Sequence, residues 1–297
     1  MTQSPITACL NPDAPIGVFD SGLGGLSVFT HIYKQLPFEN YIYLADTLHV
    51  PYGSRQADDI QKLTLQAVDW LVKQGCKLVV IACNTASAHG LPAVRQAYPN
   101  LPIVGLVPAL KPAVLHTQTK QVAVLATPAT LHGYLLNDVI DEVANPQGVT
   151  VYKYSIASLV PWVEEGMPTE HVAVQALDDL MAELFVKRVD QLVLGCTHFP
   201  FFKGYLIEKL QNHYQQGQQQ GVQLQGLQLI DSGQAIAKRV HTLLERLTIV
   251  NHSSQSSALN FYHTGNFIAT EQVAQRLLGQ FLPQLSVNFW QNAYDGL

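Results

Sequence analysis

The chain has 297 residues, of which 47% are hydrophobic and only 13% charged, and it carries a formal net charge of -5. That balance excludes intrinsic disorder, which needs few apolar residues and much charge, and it leaves no cationic surface for a phosphate backbone, so no nucleic-acid partner is expected. No apolar run approaches the ~18 residues of a membrane-spanning helix, no signal peptide opens the chain, and four cysteines (Cys9, Cys76, Cys83, Cys196) are too few for a disulfide framework. The expectation is a soluble cytoplasmic protein with reduced thiols and no membrane partner, long enough for two domains.

In chain order, Ile16-Gly17-Val18-Phe19 reads as a strand that runs past Asp20 into a glycine-rich turn. Tyr41-Ile42-Tyr43-Leu44 follows as a second, and Leu78-Val79-Val80-Ile81 as a third that leads into Ala82-Cys83-Asn84. Ile103-Val104, Val122 to Leu125, Val149 to Tyr152, Gln191 to Leu194 and Gln228 to Ile230 continue the series. These runs are apolar on both faces, as parallel strands covered on each side by helices must be. Between them, Val174, Leu177, Met181, Leu184 and Phe185, and later Ile236, Val240, Leu243, Leu244 and Leu247, recur at helical intervals of three and four. The alternation predicts an α/β fold of right-handed βαβ units in open, mostly parallel, doubly wound sheets.

The pattern occurs twice. Asp20 closes one strand and Cys83 follows a later one; Ala126-Thr127 and Cys196 stand in the same relation further on. Two similar domains related by a pseudo-twofold are predicted, with the active site in the cleft between them. Residues 1–107 plus 226–297 make the first and residues 108–225 the second, with Val107-Pro108 marking the break. The stretch from Gln211 to Gln228 holds nine glutamines in eighteen residues and no apolar face before Val222, and reads as a mobile surface insertion.

Ligands of open α/β sheets bind beyond the carboxyl ends of the strands. Four polar clusters fall there: Asp20-Ser21-Gly22, Pro51-Tyr52-Gly53, Cys83-Asn84-Thr85 and Cys196-Thr197-His198. Gly22, Gly24 and Gly25 present backbone N–H groups suited to a small carboxylate, and their spacing is not that of a dinucleotide loop. Cys83 and Cys196 are the sharpest feature, because a thiol at a strand end entering a helix has its thiolate favoured by the dipole. Asn84, Thr85 and Thr197 add donors and acceptors, and Asp20 and His198 offer one acid/base helper to each thiol. Cys9 and Cys76 lack such company and read as structural. Zinc would need close ligand pairs such as C-x-x-C, and pyridoxal phosphate a lysine beside a phosphate cradle; neither is present, so no metal and no cofactor is expected. A cysteine hydrolase using Cys196 and His198, and a two-lobed binding protein, stand as rivals.

At these residues the sequence resembles the glutamate racemases, cofactor-independent enzymes of peptidoglycan synthesis. Ile16 to Gly25 resembles the family's opening motif, and Ala45-Asp46-Thr47 with Pro51-Tyr52-Gly53 its second. Ala82 to Ser87 and Leu194 to Pro200 resemble its two cysteine motifs, and Ile230-Asp231-Ser232-Gly233 its late loop. The resemblance implies that Cys83 and Cys196 move the Cα proton of glutamate on opposite faces, assisted by Asp20 and His198. It implies substrate contacts from Asp20, Ser21, Pro51, Tyr52, Gly53, Asn84, Thr85, Thr197 and His198, with Thr127 and Thr130 behind them. An assisting glutamate matches Glu164, with its neighbour Glu165 as the alternative. D-glutamate for the cell wall would be the product, and a homodimer and a cell-wall-precursor activator enter as partners to test. An enzyme acting on aspartate is the nearest rival. An N-terminal extension of about fifteen residues and the glutamine-rich stretch depart from the pattern without touching its motifs.

Overall fold

Among the residues described by the computed structural model (11–219, 226–254, 258–291 and 294), ten strands form, each parallel to its neighbours because helices and not hairpins connect them. The first half comprises β1 (Ile16–Asp20), α1 (Leu26–Gln35), β2 (Tyr41–Ala45), α2 (Ala57–Lys73), β3 (Leu78–Ile81), α3 (Asn84–Ala97) and β4 (Ile103–Gly105). The second opens with α4 (Leu110–His116), β5 (Gln121–Leu125), α5 (Pro128–His132), α6 (Tyr134–Val139), β6 (Thr150–Tyr154) and α7 (Leu159–Glu164). It continues with α8 (Val172–Val186), β7 (Gln191–Leu194), α9 (Lys203–Gln219) and β8 (Gln228–Ile230). The chain then returns to the first half through α10 (Gly233–Leu247), β9 (Leu259–His263), α11 (Phe267–Gly279) and β10 (Val287–Gln291).

Two sheets result, ordered β10-β9-β2-β1-β3-β4 and β6-β5-β7-β8. Without β9 and β10 the two orders are the same. Cys83 after β3 and Cys196 after β7 are therefore topological equivalents, as are Asp20 at the end of β1 and Ala126-Thr127 after β5. The order reverses between β1 and β3 and between β5 and β7, which is where open α/β sheets bind ligands.

Successive strand residues face opposite ways and enter different cores. Val18 and Val80 of the first sheet share one buried cluster with Ala123, Leu125, Leu192 and Leu194 of the second, joined by side chains of α1, α7, α10 and α11. Phe19, Val79 and Ile81 pack outward against α2 and α3, and Val122 and Val124 against α4 and α6. The halves thus share a core and seat their strand ends against each other.

Two expectations are corrected. β8 pairs with β7, so the return to the first sheet falls after Ile230 and not at residue 226. The glutamine-rich stretch is not a loop as far as Gln219: anchored by buried Leu206 and Leu210, α9 continues through it, because glutamine is a good helix former. Its residues 220–225, like Cys9 and most of the N-terminal extension, lie outside the described residues. Strands β9 and β10 were not legible as apolar runs; in β9 only Leu259, Phe261 and His263 are buried, and β10 is an edge strand with Trp290 51% exposed.

Candidate active site

Asp20 ends β1 and is buried. Its Oδ2 accepts the backbone N–H groups of Gly22 and Gly25, both at 3.1 Å, while Oδ1 is buried without a partner. Burial raises this carboxyl above its ordinary value, against the opposing pull of His198 and the two N–H groups. A Cβ on Gly24 would stand 2.3 Å from His198 Nδ1, so only glycine lets the β1 loop close on the β7 loop.

Because the folded-state value of Asp20 lies above the unfolded one near 3.8, its stability contribution is fully present below that pH and is lost as pH rises through the folded value. Ionised Asp20 is a cost to the fold at neutral pH. Asp20→Asn, which keeps an acceptor for Gly22 and Gly25, is expected to raise Tm at pH ~7 by ~2–4 °C for each kcal/mol relieved. At pH ~3 the two proteins should melt together. Thermal unfolding at the two pH values checks this.

Cys83 caps α3: its Sγ accepts the Ala86 N–H at 3.3 Å and lies 3.3 Å from Ser21 Oγ. The expected thiolate does not survive burial. Desolvation first, and then the Asp20 charge, push this thiol up to about 12, more than the Ser21 and Ala86 hydrogen bonds offset. Cys83 is held as a thiol.

Asn84 and Thr85 open α3. Asn84 Oδ1 is buried without a partner. Thr85 Oγ1 lies 2.9 Å from Thr127 Oγ1 and 3.2 Å from Thr130 Oγ1, bridging the halves, and Thr127 caps α5. The turn Tyr52–Ser54 closes on the same threonine, since a Cβ on Gly53 would stand 2.9 Å from Thr127 Cβ. Pro51 is exposed ahead of that turn. Tyr52 OH donates to Asp46 Oδ2 at 2.6 Å; Asp46, fully buried, also accepts Thr264 Oγ1 at 2.8 Å and meets His49. The motif Ala45-Asp46-Thr47 marks this acid in the sequence without giving it a role; the structure shows it holding Tyr52, His49 and Thr264.

Across the crevice, Cys196 and Thr197 leave β7 for a 3-10 turn, Phe199–Phe202, and not directly for a helix. A side chain stands where the helix end was expected. His198 hydrogen-bonds Cys196, and its Nε2 lies 2.8 Å from Glu164 Oε1. Glu165 instead points to His171, 3.8 Å away. Burial pulls the His198 imidazolium down, but the bonds to Cys196 and Glu164 outweigh it and carry it up to about 10. His198 is a cation at neutral pH. Ser27 Oγ of α1 donates to Thr197 O at 2.7 Å and ties this loop to the first half.

The two thiols therefore have unlike surroundings: a buried carboxyl beside Cys83, the His198 imidazolium beside Cys196. A cavity of about 10 Å³ lies beside the Cys196 loop, lined by Cys196, Thr197 and Asn84 together with Ser27, His31 and Asp231, and Cys83 does not line it. That is room for about one water. Among the described residues no cluster of three or more His, Cys, Asp or Glu side chains is arranged to hold a metal ion.

The family profile for Asp/Glu/Hydantoin racemase matches residues 16–240. The glutamate racemase of Deinococcus radiodurans is 44% identical over 252 residues, 85% of this chain and 82% of its own length. The crystal structure of glutamate racemase from Francisella tularensis in complex with D-glutamate superposes with a TM-score of 0.77 at 27% identity, covering 96% of this chain and 99% of that one. That of Escherichia coli glutamate racemase in complex with L-glutamate and activator UDP-MurNAc-Ala gives 0.74 at 30% identity, covering 94% and 98%.

Proposed function

The chain belongs to the Asp/Glu/Hydantoin racemase family, and on that premise we propose that it interconverts L- and D-glutamate without a cofactor, passing the Cα proton between Cys83 and Cys196. The observation that carries this reading is the topological pairing of the two cysteines, each at the end of an equivalent strand and in unlike surroundings. Inverting a stereocentre by proton transfer needs removal on one face and return on the other. Two groups that exchange the roles of acid and base meet that need.

In the resting site Cys83 is the thiol, and the His198 cation is the counter-charge that a thiolate at Cys196 requires. Cys196 then takes the Cα proton of one enantiomer while Cys83 delivers its own from the opposite side, and the reverse reaction starts from the exchanged state. Glu164 holds the His198 imidazole in place, and Asp20 serves Cys83. The Cα proton is very weakly acidic, so the charge that develops on the substrate carboxylate must be met by donors: Asn84, Thr85, Thr197 and the N–H groups of the β1 loop. Water must be absent while it lasts, which closure of the two halves over the substrate would provide. In this reading the halves part to admit glutamate and close over it in each turnover.

D-glutamate for peptidoglycan, made in the cytoplasm, is the role this reading assigns; no helix of the described residues is long and apolar enough to cross a membrane. An activator of the kind named in the Escherichia coli structure and a homodimer belong to the same reading. The test is L-glutamate with purified protein in heavy water and nothing else added. The circular dichroism of glutamate should decay to zero while the Cα–H resonance is replaced by deuterium. Unchanged rotation, or racemic product free of label, would overturn the proposal.

A further inference from the structure

The C-terminal helix α11 lies between β9 and β10 of the first sheet, yet it reaches the second half at two points. Arg276 Nη2 donates to the backbone oxygen of Glu164, the last residue of α7. Its guanidinium lies over Gly166, where an added Cβ would be 3.6 Å from Arg276 Nε. Just past the helix, Phe281 packs on Phe201, ring centroids 5.6 Å apart. These contacts meet the two segments that build the Cys196 side of the crevice: Phe201 lies on the turn that follows His198, and Glu164 is the carboxylate bonded to it.

From this geometry we infer that Arg276 is a positioning residue, which sets the Glu164–His198–Cys196 chain from the opposite half of the molecule when the crevice closes. The inference rests on the racemase reading above. The Glu164 side chain is 37% exposed while that of His198 is 9% exposed. A carboxylate so placed has water and other rotamers to choose from, and its hold on His198 is only as firm as its backbone. That backbone stands at a helix end, where the last carbonyls have no partner within the helix. The chain then turns sharply through Gly166 (φ 90°) and Met167 (φ 60°). Arg276 occupies the Glu164 carbonyl, as a basic side chain at a helix C-terminus does, and in doing so leaves the carboxylate free for His198. Because donor and acceptor sit on different halves, closure itself aims Glu164.

The test compares wild type, Arg276→Ala and Arg276→Lys for kcat, KM, Tm and the pH profile of kcat. The titratable groups that face His198 are Cys196 and Glu164 from its own half and Asp20 from β1. Arg276→Ala should lower kcat about 10-fold, the worth of one charge-assisted hydrogen bond, with little change in KM and none in Tm, since the side chain is exposed. It should also move the alkaline limb of the profile down by about half a unit, as Glu164 loosens its hold on the imidazolium. Arg276→Lys should recover most of kcat, because an ammonium can still donate to the carbonyl. Unchanged kcat would overturn the inference. So would a limb that moves up, which is what loss of a nearby cation alone would give, or a loss of kcat that merely follows a fall in Tm. Absence of glutamate racemisation by the wild type would instead sink the proposed function, so the two failures are distinguishable.

Discussion

Cys83→Ser and Cys196→Ser, made one at a time, are each expected to lower kcat for glutamate racemisation by about 100- to 10,000-fold, the span typical of losing a positioned acid or base. Serine fills nearly the same space, so Tm and KM should change little. The loss should be chemical: an alcohol holds its proton far more tightly than even a thiol pushed up to about 12. Each variant retains one working face. In heavy water, Cys83→Ser should exchange the Cα proton of one enantiomer with retention, because Cys196 beside the His198 cation can still remove and return it. Cys196→Ser should exchange the other enantiomer, and more slowly, since its surviving thiol sits beside Asp20 and is a poor source of thiolate. Cys76→Ser, remote from the crevice, serves as the control. NMR of each enantiomer with each variant decides the matter; wild-type racemisation by either would end the two-thiol scheme.

The second large effect concerns folding alone. Lys77, just before β3, is fully buried, and its Nζ donates to Glu39 Oε2 at 2.6 Å, to Ile249 O at 2.8 Å and to Pro12 O. Glu39, also buried, uses Oε1 to accept the Asn251 N–H at 2.8 Å. One ion pair thus ties the loops at the amino ends of the strands, at the far edge of the sheet from Cys83. Lys77→Met removes one member of this buried ion pair, and such a removal costs about 3–5 kcal/mol. Urea unfolding should show that loss. The double variant Lys77→Met/Glu39→Met should recover a large part of it, because the buried pair is then replaced as a unit by apolar side chains. The specific activity of folded Lys77→Met should equal wild type below its unfolding midpoint. A single variant as stable as the parent would mean that water or movement of the loops relieves Glu39.

Much of this molecule is legible without coordinates, and the reason is locality. Strands covered on both faces must be apolar throughout, so Ile16 to Phe19, Leu78 to Ile81 and Gln191 to Leu194 declare themselves within four residues each, and the cysteine loops at their ends declare the crevice. A repeated strand order likewise follows from a repeated pattern of runs. What depends on meetings between distant segments could not be read that way. Glu164 and Glu165 are neighbours in sequence but point about 100° apart on a helix, and only the approach of His198 distinguishes them. Arg276 lies over a hundred residues from the carbonyl that it holds, in a helix whose pattern announces nothing but a core face. The protonation of Cys83 went against its local signal, because desolvation by the assembled halves outweighs the dipole of the helix it caps. Local chemistry named the candidate groups; long-range packing decided which form they take and what holds them there, since burial and charge are properties of the neighbourhood that the fold assembles.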